Sequence, residues 1–121
     1  MLVIRKAQLE VIGQQPVEQF IRELTAHIRE HLPLQYEALG AEGTREIVCH
    51  GIDRARVHRI VSAAGVRAYT QLLFVLGPDF DLNPALPWVR PILAGTEEEP
   101  ARVEKLITAA TDHLRRSAAV G

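Results

Sequence analysis

Apolar residues recur at the spacing of an amphipathic helix in several separate segments of the chain. The clearest stripe lies in residues 16–32, where we expect a helix with Pro16 in its first turn and an end near His31, just before Pro33. Its members are Val17, Phe20, Ile21, Leu24, Ile28 and Leu32. Ahead of it, the apolar spacing over residues 4–13 predicts a shorter helix that closes at Gly13.

The middle of the chain predicts two further helices. After a helical turn at residues 34–39, Gly40 and Gly43 indicate a loop, and Thr44 is the expected N-cap of a third helix. Gly51 lies on the apolar stripe of that helix at a cost of about 1 kcal/mol relative to alanine, which indicates a close helix crossing. Ser62 is the expected cap of a fourth helix that ends at residues 77–78. Apolar residues nearly surround this segment, so we expect it to be the most buried helix.

A capping box, Thr96-Glu97-Glu98-Glu99, predicts the start of the last helix. Two oppositely charged pairs, Glu98 with Arg102 and Asp112 with Arg116, are expected on its solvated side. The stripe expected to be buried consists of Val103, Leu106, Ile107, Ala110 and Leu114.

These patterns predict an all-α protein, a single compact bundle of about five helices over residues 1–121. No strand-like alternation extends over five or more residues. A chain of 121 residues with 47% apolar content can bury one core without disulfides or metal. Residues 77–95, rich in proline, are expected to form an ordered connector between the central and last helices.

Charge and composition narrow the classes of partner. The net charge of −1 disfavours nucleic acid, and no apolar run approaches the length that spans a bilayer, so we expect neither nucleic acid nor membrane as a partner. The single cysteine, Cys49, and an N-terminus without a long apolar signal region favour a cytoplasmic location.

The connector carries the most conspicuous polar pattern. Asp79, Asp81 and Asn83 match the opening of a calcium loop, but Pro84 replaces the required glycine and Arg90 replaces the closing glutamate. The two aspartates could also form an acid and base pair, although no pocket is evident for them. The apolar residues Phe80, Leu82, Leu86 and Trp88 alternate with these positions and indicate anchors on the helical body.

Other groups with potential chemistry have simpler structural explanations. His27 and His31, one helical turn apart, could bind a metal only with a third ligand from elsewhere, and they are interpreted as solvent-facing. The nominal candidates for that ligand are Glu23, Glu30 and His113. Cys49 is interpreted as a core residue. The basic run that contains Arg54, Arg56, His58 and Arg59 is interpreted as a solvated helix flank. We therefore assign no catalytic residue, metal or cofactor.

Four sequence blocks together resemble a family of small bacterial helical proteins associated with type VI secretion and related contractile-injection gene clusters. The blocks are IRKAQLEVI, FIRELTAHIREHLP, GIDRARVHRIVSAAGV and LLFVLGPDFDLNPALPWVRPIL. The resemblance implies work beside a secreted effector, spike protein or toxin, and implies no catalytic residue.

The expected function is that of a non-enzymatic protein-protein interaction module, an adaptor or effector-loading factor of a type VI secretion system. The expected partner contacts are Phe80, Trp88, Asp79 and Asp81 in the connector. One alternative is an immunity protein that neutralises a cognate toxin. The other is a small metal-dependent or carboxylate-dependent enzyme, which would need a pocket at Asp79 and Asp81 or at the histidine pair.

Overall fold

The computed structural model describes residues 11–12 and 15–120, and over these residues the all-α prediction is confirmed. The described part contains five α-helices and one pair of two-residue antiparallel strands, β1 (Val11–Ile12) and β2 (Gln15–Pro16). The helix expected over residues 4–13 lies mostly outside the described residues. It is wrong at Val11–Ile12, which pair with β2 instead of forming a helical turn.

Helix α1 (Val17–His31) confirms the clearest sequence prediction. Pro16 occupies the N-cap position, one residue ahead of the first turn, and Leu32 ends the helix with a non-helical ψ of 61°. Five of the six residues of the predicted stripe are buried in α1: Val17, Phe20, Ile21, Leu24 and Ile28. The sixth, Leu32, follows the helix and is half-buried.

Helix α2 (Pro33–Val57) is longer than the sequence indicated and has a break inside it. The predicted helical turn at residues 34–39 is present, and Gly40 then departs from helical geometry with φ of 77° and ψ of 173°. Glycine tolerates a positive φ, which explains why the break falls here. The helix resumes before Gly43, so Thr44 is not an N-cap but a buried residue inside α2.

Helix α3 (Ala63–Leu76) begins as predicted, with the Ser62 hydroxyl accepting a hydrogen bond from the Gly65 amide, and ends at Gly77. It contacts both α2 and the last helix, which confirms its central position. The close crossing inferred from Gly51 is also present: a Cβ atom at Gly51 would lie 2.6 Å from Thr70 Oγ1 and 2.8 Å from Leu73 Cδ1.

The connector, residues 77–95, contains a 3₁₀ turn (Phe80–Leu82) and a short helix α4 (Val89–Leu93), and leads to α5 (Glu99–Val120). Helix α5 begins three residues later than Thr96, so the predicted capping box is not formed. None of the helices within the described ranges is long and apolar enough to cross a membrane. The largest buried apolar side chains come from every helix, from the 3₁₀ turn and from the segment between α2 and α3: Phe20, Leu24, Ile28, Val48, Ile60, Tyr69, Leu73, Phe80, Val89 and Leu106.

Candidate functional site

The 3₁₀ turn directs two consecutive connector residues inwards. Phe80 is buried with its ring centroid 5.0 Å from that of Tyr69 on α3, and the side chain of Asp81 has no exposed surface. The next residue, Leu82, points the other way and is 54% exposed. A tight turn therefore separates an inner side of the connector from an outer side within three residues.

Asp81 is held by two side chains, that of Arg54 in the last turn of α2 and that of His58, the residue that follows α2. Its Oδ2 atom accepts hydrogen bonds from Arg54 Nε at 2.9 Å, from Arg54 Nη2 at 2.6 Å and from His58 Nε2 at 2.9 Å. Because a carboxylate oxygen only accepts, the proton in the last bond belongs to His58 Nε2. The connector is thus fixed to α2 by charge-assisted bonds that span 27 and 23 residues of sequence.

The network favours an ionised Asp81 beside a neutral Tyr69. Burial by itself would raise the pKa of Asp81, but the hydrogen bonds from His58 and Arg54 outweigh burial and hold that pKa below its ordinary value. Burial, reinforced by the negative charge of Asp81, raises the pKa of the Tyr69 hydroxyl. Since the Asp81 side chain has no exposed surface, it acts on the fold and has no access to a substrate.

Asp79 has a different environment from Asp81. Its side chain is 71% exposed, and its Oδ1 atom lies 3.6 Å from Nε2 of His50, which is also 3.1 Å from the Pro78 carbonyl oxygen. The two carboxylates therefore interact with different groups and do not converge on a common position. Neither a calcium loop nor an acid and base pair is assembled from them.

The four residues expected to contact a partner are divided between the core and the surface. Phe80 and Asp81 are buried, so the prediction that they contact a partner is wrong. Both residues anchor the connector to the helices instead. Asp79 is exposed, and Trp88 is half-buried, with its ring centroid 5.9 Å from that of His113 on α5. Leu82, expected to be an anchor, is the large apolar side chain that the turn exposes.

A second polar cluster joins α5 to the junction, which we define as residues 58–62 between α2 and α3. Glu99 accepts hydrogen bonds from the Val61 amide at 3.0 Å, from the Ser62 amide at 3.1 Å and from the Ser62 hydroxyl. Burial would raise the pKa of Glu99, but these bonds outweigh it and lower the pKa. The Glu99 carboxylate therefore caps the start of α3 rather than its own helix, where a negative charge is favoured by the helix dipole.

Arg102 binds the other side of the junction. It is buried and donates to the carbonyl oxygens of His58 at 2.8 Å, Arg59 at 3.1 Å and Glu97 at 3.0 Å. The prediction that Arg102 lies on the solvated side of α5 is wrong. The last carbonyls of a helix lack intrahelical partners and carry partial negative charge, so a guanidinium from a neighbouring helix satisfies them well.

The remaining candidates do not assemble a chemical site. The ring centroids of His27 and His31 are 4.3 Å apart, but His27 Nε2 accepts a hydrogen bond from the Gln71 side-chain amide at 2.7 Å. Within residues 11–12 and 15–120, no group of three or more His, Cys, Asp or Glu residues could hold a metal ion. Burial raises the pKa of the Cys49 thiol, which disfavours the reactive thiolate. The prediction of a solvated flank is wrong for Arg54 and His58, because both side chains bind the buried Asp81.

Comparisons with known proteins do not identify the function. No family model, no curated protein and no solved structure matches the chain. Assignment of a function therefore depends on the geometry of the connector and on the resemblance carried by the four sequence blocks.

Proposed function

We propose that this chain is a non-enzymatic protein-binding module that serves as an adaptor or effector-loading factor of a bacterial type VI secretion system, and that the outer side of the connector contacts the partner. The observation that carries the proposal is the contrast within one 3₁₀ turn. Asp81 is bound by Arg54 and His58 inside the protein, whereas Leu82 is left 54% exposed beside it.

Rigid presentation of an apolar side chain favours binding. Ordering a loop on association costs free energy, about 0.5–1.5 kcal/mol for each side chain immobilised, and a segment already fixed avoids much of that cost. Asp81, Phe80 and Leu86 hold the connector in place before any partner arrives. The exposed Leu82 side chain therefore has a defined position before a partner binds.

The surface around Leu82 indicates the chemistry of the partner. A shallow groove of about 410 Å³ borders it, and its lining includes Leu76, Gly77, Pro78 and Asn83. Asp79 lies on the same rim with its carboxylate largely exposed. This arrangement fits a protein segment that covers Leu82 with an apolar side chain and offers a cationic or N–H donor to Asp79.

The experiment is co-purification of the tagged full-length chain with the products of adjacent genes. Leu82→Asp is expected to reduce retention of the partner at least about tenfold, because it places a charge in an apolar contact. Leu34→Asp is the matched control: Leu34 is 81% exposed at the start of α2, and its replacement should leave retention unchanged. Circular dichroism of both variants establishes that the fold is preserved.

The result separates the proposal from its alternatives. If no neighbouring product is retained, the adaptor proposal is wrong. If Leu82→Asp and Leu34→Asp reduce retention equally, the connector is not the binding surface. Retention of a toxin, with loss of its activity in the complex, would replace the adaptor proposal with the immunity alternative.

A further inference from the structure

Helix α5 presents an apolar face that the rest of the described chain leaves partly uncovered. Of the five residues predicted to form its buried stripe, Leu106 and Ala110 are buried, but Ile107 is 43% exposed and Leu114 is 40% exposed. At about 100° per residue, Ile107, Thr111, Leu114 and Ala118 project within about 60° of one another. The apolar stripe of α5 is therefore wider than the surface that α3 and α4 cover.

Two unpaired charges of opposite sign lie along one edge of this face. Glu104 and Arg115 are both exposed, and neither has a hydrogen-bond or ion-pair partner in the part of the chain that the structure describes. They are eleven residues apart, which brings them within about 20° of each other on the helix surface and separates them by about 16 Å along its axis. The acidic group lies towards the start of the face and the basic group towards its end.

This order of charges is self-complementary in an antiparallel arrangement. If a second α5 packs against the first around a two-fold axis near residues 109–110, Glu104 of each copy lies opposite Arg115 of the other. Two ion pairs then lie along one edge of the contact between the exposed Ile107 and Leu114 of both copies. A parallel arrangement would instead leave Glu104 of one copy and Arg115 of the other about 16 Å apart along the axis, so neither ion pair could form.

A groove beside the face has room for a side chain from the second copy. It lies between α3 and α5, has a volume of about 400 Å³, and is bordered by the small residues Ala64, Gly65 and Ala68 and by Val103 and Ile107. In the antiparallel register, Leu114 of the second copy falls opposite residue 105, next to this groove. Isologous contacts of this kind, with one patch used by both subunits, are the commonest form of homodimer.

We propose that a second copy of this chain covers the face, through antiparallel packing of α5 against α5 with reciprocal pairs between Glu104 and Arg115. A contact limited to one helix pair and its groove belongs to the lower end of interface sizes, near about 1,200 Å² in total. A dissociation constant in the micromolar range is expected. The face does not include the connector, so this proposal is independent of the proposed function.

The test begins with sedimentation velocity of the full chain from about 1 µM to about 500 µM, a range that brackets a micromolar dissociation constant. The expected result is a reversible equilibrium between monomer and dimer. Glu104→Arg and Arg115→Glu should each raise the dissociation constant about tenfold or more, since each creates two like-charge pairs in the dimer. Leu34→Asp and Leu82→Asp, outside the face, should leave the equilibrium unchanged.

Mixing the two single variants gives the decisive measurement. A heterodimer of Glu104→Arg with Arg115→Glu contains two pairs of opposite charge, so an equimolar mixture should dimerise although neither variant does so alone at the same concentration. Unfolding or a general loss of solubility would not be reversed by mixing. A monomeric wild-type chain at all concentrations, a dimer insensitive to the charge changes, or a mixture that stays monomeric would each overturn the proposal.

Discussion

Replacement of Asp81 by alanine should destabilise the protein by about 3 kcal/mol. Removal of one partner from a buried ion pair typically costs about 3–5 kcal/mol, because the other charge remains buried without compensation. The side chains of Arg54 and His58 are 26% and 20% exposed, so they recover some hydration and the lower end of that range applies. Asp81→Asn retains an oxygen acceptor but loses the charge, and we expect about 1–2 kcal/mol.

Asp79→Ala is the matched control, two residues away in the same connector. Its carboxylate is largely exposed and lies 3.6 Å from the His50 ring nitrogen, so its removal should cost about 0.5 kcal/mol or less. Urea unfolding followed by far-ultraviolet circular dichroism measures the loss of helical structure over the whole chain. Fluorescence of Trp88, the only tryptophan, follows the connector in the same samples. At about 4 °C per kcal/mol for a chain of this length, Asp81→Ala should lower Tm by about 12 °C.

The pH dependence of stability is an independent test of the hydrogen bonds to Asp81. The pKa of Asp81 is lowered in the folded protein from its ordinary value of 3.8, so its contribution to stability is fully present above that value. The contribution is lost as pH falls below 3.8 and through the lowered native pKa. The stability difference between wild type and Asp81→Asn should therefore shrink in strong acid. A difference that stays constant from neutral pH into that range, or equal losses for Asp79→Ala and Asp81→Ala, would refute the reasoning.

Two further substitutions and one thiol reaction test the packing of the helices. Gly51→Ala should destabilise by about 1–3 kcal/mol, because its Cβ would lie 2.6 Å from Thr70 Oγ1; unchanged urea midpoints would contradict the close crossing. Arg102→Met should cost about 2–4 kcal/mol by thermal unfolding, since it leaves buried carbonyls unpaired, whereas a cost near that of Arg116→Met, at an exposed position of the same helix, would contradict this. Cys49 should react with a thiol reagent several times more slowly than glutathione at pH 8, and an equal rate would contradict the raised pKa of its thiol.

The elements that the sequence predicted well are those determined by nearby residues. Helix α1 follows from one apolar stripe, and the start of α3 follows from a serine three positions before an amide that it can bind. Gly51 also gave a correct tertiary inference, because a glycine on an apolar stripe leaves space for a neighbouring helix. In these cases the local preference and the final packing agree.

The polar contacts of the site could not be predicted in the same way. Arg102 has Glu98 four residues before it, which satisfies the local rule for a surface pair, but its actual acceptors include the carbonyl of His58, 44 residues away. Glu99 completes a capping box in sequence, yet it binds amides 37 and 38 residues away. A charged side chain satisfies either arrangement, and only the docking of α5 decides between them.

The prediction for Leu82 in the connector was wrong for a different reason. The alternation of Phe80 and Leu82 indicates two anchors on one side, which is correct for an extended chain with a period of two. The 3₁₀ turn has three residues per turn, so positions two apart project to different sides, and Leu82 becomes exposed. The misassigned residue is also the one on which the proposed binding surface depends.

The junction at residues 58–62 explains how these separate parts are held together. His58 binds the connector through its side chain and α5 through its carbonyl oxygen, and the amides of Val61 and Ser62 bind Glu99 on α5. Arg59, within the same junction, adopts a positive φ of 61°, a conformation unfavourable for a residue with a side chain. The contacts on both sides of Arg59 offset that cost. Because this junction fixes both the connector and α5 from the inside, the outer side of the connector and the apolar face of α5 remain exposed at separate positions, where we propose that a protein partner and a second copy bind.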